Sequence, residues 1–344
     1  MGAVKREIWD HEFRTWQGRE DALYSHMMMC RDKSWLAVSR PRLSREEQYA
    51  ACLHDLTPGV LVDGAGRLLS IELQDWAQHG LYAYRFFEGT FSEKMAFMHS
   101  LLEAGREVYV GTIHPLLPFS ARYNPQIDRA SYSRPNHIFV ILGEEAGRYV
   151  YFDTSSYKSK AFEAYPNNPE LGWISKQTVD PVLQAMFELG YTEWHEEKRS
   201  RLNAYADRLL ASYRTAYPQA EAQDGLYRGR GAIERLQAYL QSQELDLAAP
   251  SWEHPFIEQG DMLNWKITDL ATRRLVMAHY LQTQGQSRQA ELWQEAGLLW
   301  QRLSTRMLYQ REKRKYGRCA AYAAILSEIL KAEDKICIFL QNCA

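Results

Sequence analysis

Apolar positions along this chain follow two different periods, with the change shortly after residue 155. In residues 60–155, short apolar runs rich in β-branched and aromatic residues are separated by Gly-containing turns, which predicts strands. The segments are GVLVDGAGRLLSIEL (strand, turn, strand), Glu107–Ile113 (strand) and Ile138–Leu142 with Tyr149–Phe152 (hairpin). Between them, Ser92–Ala104 has the pattern of an amphipathic helix that Gly105 ends.

From Asp180 onward the apolar residues recur every three or four positions, which predicts helices that bury one face. The segment PVLQAMFELGY is the first of them. Residues 155–175, with YPNNPELGW at their centre, are turn-rich and are expected to cross between domains. The pattern therefore predicts an α+β fold, with an α+β domain at 1–165 and an all-α helical domain at 176–344.

Composition narrows the class of partner. The 344 residues are 46% hydrophobic and 12% aromatic, ample for sizeable cores. With 41 basic and 43 acidic residues, the net charge of -2 favours neither nucleic acid nor an anionic membrane as a partner. MGAVKREIWDHEFRTW has no apolar segment of signal-peptide length, and no later stretch approaches the roughly 20 apolar residues of a membrane span. We therefore expect a cytoplasmic protein.

His137 and Asp153 flank the predicted hairpin, whose loop is predicted to run from Gly143 to Gly147. A loop symmetric about Glu145 places His137 directly opposite Asp153, with Cβ atoms about 4.5–5.5 Å apart. The carboxylate can then accept the imidazole N–H and leave the other ring nitrogen free as a base. The alternative is that the two residues only bracket a buried hairpin, because His and Asp are both common at strand ends.

A base of this kind needs a nucleophile, and cysteine is the candidate. The five cysteines include no Cys-x-x-Cys pair and no zinc-like spacing with His, which disfavours disulfides and a structural metal. Cys30 precedes a short predicted helix, whereas Cys52 lies near the end of one, where the helix dipole raises a thiol pKa. Cys30 and Cys52 are therefore both candidate nucleophiles, of which Cys52 is the less favoured alternative. A chain with no nucleophile, acting as a noncatalytic binding module, remains the third possibility.

The order of these elements resembles the papain-like fold. A helix ending at Ala104-Gly105, a strand, the loop HPLLPFSARY and the hairpin NHIFVILGEEAGRYVYFDTS are similar to the butirosin-biosynthesis acyltransferase (BtrH-like) family, relatives of the cysteine peptidases that process bacteriocin leaders. QDGLYRGRGAIERLQAYL and the later helical segments resemble that family's helical C-terminal region. The resemblance covers roughly residues 90–335.

The resemblance implies a triad of Cys30, His137 and Asp153 that moves an acyl group from a carrier-protein thioester to an amine in secondary-metabolite assembly, without a cofactor or metal. His114 and Asn136 are then candidates for substrate binding. The implied partners are an acyl- or peptidyl-carrier protein and a small-molecule amine, and a homo-oligomer stays open. Because water or a peptide bond can replace the amine in the same chemistry, a cysteine peptidase or thioesterase is the alternative.

Overall fold

The computed structural model of this chain describes residues 30–39, 42–65, 68–73, 79–120, 123–153, 159–166, 168–219, 224–242, 247–251, 258–312 and 319–343. The N-terminal segment in which no signal peptide was expected lies outside these residues. The helices are α1 (Cys30–Ser39), α2 (Arg45–Ala51), α3 (Phe91–Glu103), α4 (Lys176–Ala185), α5 (Leu202–Ala216), α6 (Gly229–Ser242), α7 (Gln259–Thr283), α8 (Ser287–Glu312) and α9 (Cys319–Asn342). The strands are β1 (Gly59–Val62), β2 (Leu68–Glu72), β3 (Tyr82–Phe87), β4 (Val108–Thr112), β5 (His137–Glu145), β6 (Arg148–Phe152), β7 (Ala164–Tyr165), β8 (Asn168–Ser175), β9 (Glu188–Trp194) and β10 (Leu226–Arg228).

Antiparallel sheets and long helices make this an α+β protein, which confirms the predicted class. The chain divides into two units: the described residues up to Gln48 with Gly80–Glu197, and Tyr49–His79 with the described residues from Lys198 onward. This division differs from the predicted domains, 1–165 and 176–344. The difference arises because each unit draws on two separate stretches of the sequence.

The first unit is built on a seven-stranded antiparallel sheet in the order β3-β9-β4-β5-β6-β8-β7. Helix α3 begins with a capping box in which Thr90 and Glu93 each accept a bond from the other's backbone N–H. Its buried face packs with α4 against alternate residues of β4 and β5 in one hydrophobic core. On the opposite face, Trp35 of α1 stacks on Tyr82 of β3 with ring centroids 4.6 Å apart. Helices therefore contact both faces of the sheet, and α1 is anchored to one of them.

Two sequence predictions are wrong in this unit. Residues 168–175 form β8, which pairs with β6 inside the sheet, so this part of 155–175 is not a crossing between domains. The predicted helix PVLQAMFELGY ends at Ala185, and residues from Glu188 onward form β9 between β3 and β4. At Gly190, which pairs with Phe86 of β3, a Cβ would meet the Tyr84 side chain of the same strand, so a larger residue would have to displace that ring. Strand β3 itself was not predicted.

The second unit combines a three-stranded sheet, in the order β10-β1-β2, with helices α5–α9. The predicted strand-turn-strand of β1 and β2 is confirmed, but it pairs with β10 from the C-terminal half, which is therefore not purely helical. Arg274 of α7 and Glu333 of α9 form a fully buried ion pair at 2.7 Å, and the Trp300 indole donates to the same carboxylate. These bonds satisfy charges that burial would otherwise penalise.

Candidate active site

The hairpin that carries His137 and Asp153 is tighter than predicted. Strand β5 runs to Glu145, which pairs with Arg148, so that only Ala146 and Gly147 form the turn. Both have positive φ, 51° and 76°, as a type I′ turn requires. The predicted five-residue loop is therefore wrong, and the register deduced from it is wrong as well.

A bulge in β5 nevertheless brings His137 and Asp153 to the same face. If the register at the turn continued unchanged, Asp153 would lie opposite Val140, whose side chain points to the other face from that of His137. The ladder shifts by one residue at Leu142, so that Asp153 falls opposite Phe139 instead. His137 is two residues from Phe139, which makes it the diagonal neighbour of Asp153 rather than its direct partner.

The His137 imidazole and the Asp153 carboxylate are in direct contact. His137 Nε2 lies 2.6 Å from Asp153 Oδ2, and the two residues are only 9% and 4% exposed. A carboxylate cannot donate, so Nε2 carries the proton and donates it to Oδ2. This bond fixes the orientation of the imidazole and leaves Nδ1 for another partner.

That other partner is Cys30. Interactions with the His137 side chain and with the backbone N–H of Ile138 both act to lower the pKa of its thiol. Cys30 is the residue at which α1 begins and is half-buried, a position where the helix dipole favours a thiolate. Helix α1, which Trp35 anchors to the sheet, and strand β5 thus bring together two residues that are far apart in sequence.

The charges of the site favour an ion pair between Cys30 and His137. Burial alone would raise the pKa of the Cys30 thiol, but the His137 contact and the Ile138 N–H together lower that pKa below its usual value. Burial likewise acts to lower the pKa of His137, yet the charge and hydrogen bond of Asp153, aided by Cys30, raise it above its usual value. With the thiol the stronger acid of the two, a thiolate beside an imidazolium is the favoured state at pH values between the two pKa values.

His114 and Asn136 both lie beside this triad. The rings of His114 and His137 stack with centroids 4.1 Å apart and an angle of 27° between their planes. Asn136 accepts the His114 backbone N–H through Oδ1 at 2.8 Å, and its own N–H donates to Thr112 O at 3.1 Å. Because Oδ1 accepts the His114 N–H, the NH2 group of the exposed Asn136 side-chain amide points away from that hydrogen bond. The structure thus places both predicted residues at the site, while any role in substrate binding stays a prediction.

The alternative nucleophile lies elsewhere. Cys52 follows α2, belongs to the second unit and has a buried side chain. Among the cysteines with described side chains, Cys30 is the one that contacts His137. Sequence reasoning missed the Ile138 N–H and the His114 stacking. Neither leaves a sequence signal, since the first is a backbone group and the second depends on how the loop folds.

In the part of the chain that is described, His, Cys, Asp and Glu side chains form no group of three or more placed to hold a metal ion. None of the described helices combines the length and the apolar composition that a membrane span requires.

Comparison with known proteins gave no relative: neither a scan against protein-family models nor a search of curated proteins found a match to this chain. What the site can do therefore follows from its own atoms. A buried carboxylate, an oriented imidazole and a thiol of lowered pKa are the parts of a thiol nucleophile with its base.

Proposed function

We propose that this chain is a thiol-dependent acyl-transfer enzyme in which Cys30 is the nucleophile, His137 the acid and base, and Asp153 the residue that orients the imidazole. The observation that carries the proposal is the continuous set of contacts from the Cys30 thiol through His137 to Asp153. These three side chains come from α1, from the start of β5 and from the end of β6. If His137 and Asp153 only stabilised the hairpin, there would be no need for a thiol of lowered pKa beside the second nitrogen of the His137 ring.

The reaction has two steps. The thiolate attacks the acyl carbon of a thioester, and the leaving thiolate takes the proton from the His137 imidazolium, which leaves an acyl group on Cys30. The imidazole then removes a proton from the incoming amine, the new amide bond forms, and the Cys30 thiolate departs beside the regenerated imidazolium. Asp153 stabilises the imidazolium in both steps without itself being protonated. The first backbone N–H groups of α1 are the natural donors to the oxyanion.

The more specific proposal is that the acyl group comes from a carrier-protein thioester and passes to a small-molecule amine in secondary-metabolite assembly. Its support is the resemblance of HPLLPFSARY and the following hairpin to the butirosin-biosynthesis acyltransferases. The nucleophile must be a reduced thiol, which suits a reducing compartment, and we propose that the protein acts in the cytoplasm.

Thiol alkylation tests the catalytic assignment directly. We expect iodoacetamide at neutral pH to modify Cys30 much faster than Cys52, because the thiolate is the reactive species. The Cys30→Ala variant should lose both rapid alkylation and turnover of an acyl-pantetheine thioester, whereas Cys52→Ala, the matched control, should keep them. Retained turnover in Cys30→Ala, or a Cys30 alkylation rate that is as slow as that of an ordinary thiol near neutral pH and rises only toward about pH 8.5, would reject the enzyme and favour a noncatalytic binding protein.

A competition experiment separates transferase from hydrolase. The wild-type protein is given an acyl-pantetheine donor with increasing amine, and both the amide and the free acid are measured. A transferase directs most acyl groups to the amine, and amide formation saturates as the amine fills its site. If the free acid remains the main product at every amine concentration, the peptidase or thioesterase alternative holds.

A further inference from the structure

The ring of His114 covers one face of the His137 imidazole and has no part in the two chemical steps. We propose that His114 is a positioning residue, which holds the plane of the His137 ring while the bond between His137 and Cys30 is broken. This inference rests on the proposed function, since it concerns the same base.

The stacking is a close face-to-face contact. The centroids lie 4.1 Å apart and the ring planes differ by 27°, within the range of a stacked pair. The bonds from Nε2 to Asp153 and from the second nitrogen to Cys30 restrain the imidazole within its own plane. These two interactions still allow the imidazole to rotate about the axis that joins its two ring nitrogens. A ring packed against the imidazole face opposes that rotation.

The backbone that carries His114 is itself well restrained. Its N–H donates to Asn136 Oδ1, and its carbonyl accepts the Leu117 N–H at 3.1 Å in a turn of 3₁₀ helix. Pro115 fixes the next φ angle, and Leu117 is fully buried in the core. The backbone from which the His114 ring extends is therefore held before a substrate arrives, which favours a positioning role.

The need for this contact is greatest in the acyl-enzyme. While the thiolate is present, its charge and hydrogen bond hold the imidazole. Once Cys30 carries the acyl group, that attraction is lost, and Asp153 alone restrains the ring from one end. The imidazole must then accept a proton from the incoming amine, and small displacements at this stage are costly for the rate. His114 should therefore matter more for loss of the acyl group than for its arrival.

The test compares His114→Ala, which removes the ring, with His114→Phe, which keeps a flat ring but no ring nitrogen. His195→Ala, a partly exposed histidine of the same unit, is the matched control. The donor is S-(4-nitrophenyl) thioacetate, whose coloured thiolate reports acylation of Cys30 as a burst. The acceptor is hydroxylamine, and decay of the acyl-enzyme is followed by mass spectrometry. Iodoacetamide alkylation and the melting temperature are measured for each variant.

We expect His114→Ala to slow decay of the acyl-enzyme about 10- to 100-fold, to slow the burst less, and to leave the KM for hydroxylamine unchanged. His114→Phe and His195→Ala should stay within about threefold of the wild type.

Equal decay rates in a folded His114→Ala and the wild type would overturn the inference. So would a His114→Phe variant as slow as His114→Ala, or a loss confined to KM, since each would mean a polar contact with substrate. If wild-type Cys30 reacts no faster than free cysteine, the proposed function fails, and this inference fails with it. Normal wild-type bursts with an unaffected His114→Ala refute this inference alone.

Discussion

Replacement of Asp153 by Asn tests the electrostatic basis of the candidate site. The amide keeps an acceptor oxygen for the Nε2–H of His137 but removes the negative charge that lies 2.6 Å away. Both residues are buried, so solvent screens this charge little. Without it, burial dominates the environment of the imidazole, and the pKa of His137 falls.

The magnitude follows from the distance. An opposite charge this close shifts a pKa by about 1–3, and one pKa unit corresponds to about 1.4 kcal/mol. The thiolate–imidazolium pair should therefore be weakened by about 1.4–4 kcal/mol relative to the neutral thiol and imidazole. The ratio of the charged to the neutral pair then falls by a factor of roughly 10–1000. Loss of the ion pair is largest around neutral pH, because at higher pH the Cys30 thiol ionises without help from an imidazolium.

The assay is the rate of Cys30 alkylation by iodoacetamide across a pH series. We expect the wild type to react rapidly from the lowered pKa of Cys30 upward. Asp153→Asn should react at least about tenfold more slowly near pH 7 and approach the wild-type rate above the usual thiol pKa. Asp207→Asn, the same substitution at an exposed site on α5, should follow the wild type. A folded Asp153→Asn with an unchanged pH profile would refute the ion-pair interpretation.

Three further predictions concern fold and stability. Burial lowers the pKa of His79 to about 4, although its ring bonds to Ala51 O. Because the unfolded chain then binds more protons, acidification from pH 6.5 to 4 should lower the free energy of unfolding by up to about 3 kcal/mol. Urea titrations should show a weaker pH dependence in His79→Gln than in the wild type, and equal pH dependence would contradict the prediction. Deletion of Leu142 makes Ile141 adjacent to Gly143, so Tyr151 and Val150 keep their partners and Asp153 stays opposite Phe139; rapid Cys30 alkylation should therefore persist, and its loss in a folded variant would show that the bulge itself, rather than the pairing, positions His137. Ala146→Asn suits the positive φ of the turn better and should raise the unfolding free energy by about 0.5–1 kcal/mol in urea, and a decrease would contradict the type I′ assignment.

Local patterns were sufficient for elements that are defined by their own residues. The helix predicted at Ser92–Ala104 is present as α3, because its apolar spacing and its cap lie within one short segment. Strands β4, β5 and β6 were likewise predicted from their apolar runs. Strand β9 was not, since ELGYTEW follows a helical pattern directly and becomes a strand only through its pairing with β3 and β4.

The candidate site shows the same division between local and nonlocal information. The sequence placed His137 and Asp153 at the two ends of one hairpin, and this much needs only the apolar runs between them. Side chains alternate between the two faces of a strand, so a register shift of one residue decides whether His137 and Asp153 share a face. The single bulged residue Leu142 provides that shift. The deduction from a symmetric loop reached the right face through the wrong pairing.

The sequence by itself determined the α+β class, the hairpin and a short set of candidate residues, because periodicity and turn chemistry act over a few residues. Only the tertiary structure decided which cysteine joins the pair. Cys30 reaches His137 because α1 packs on the sheet through Trp35, and Cys52 instead enters the core of the other unit. Contacts between residues distant in sequence depend on how whole elements pack, and no local pattern encodes that.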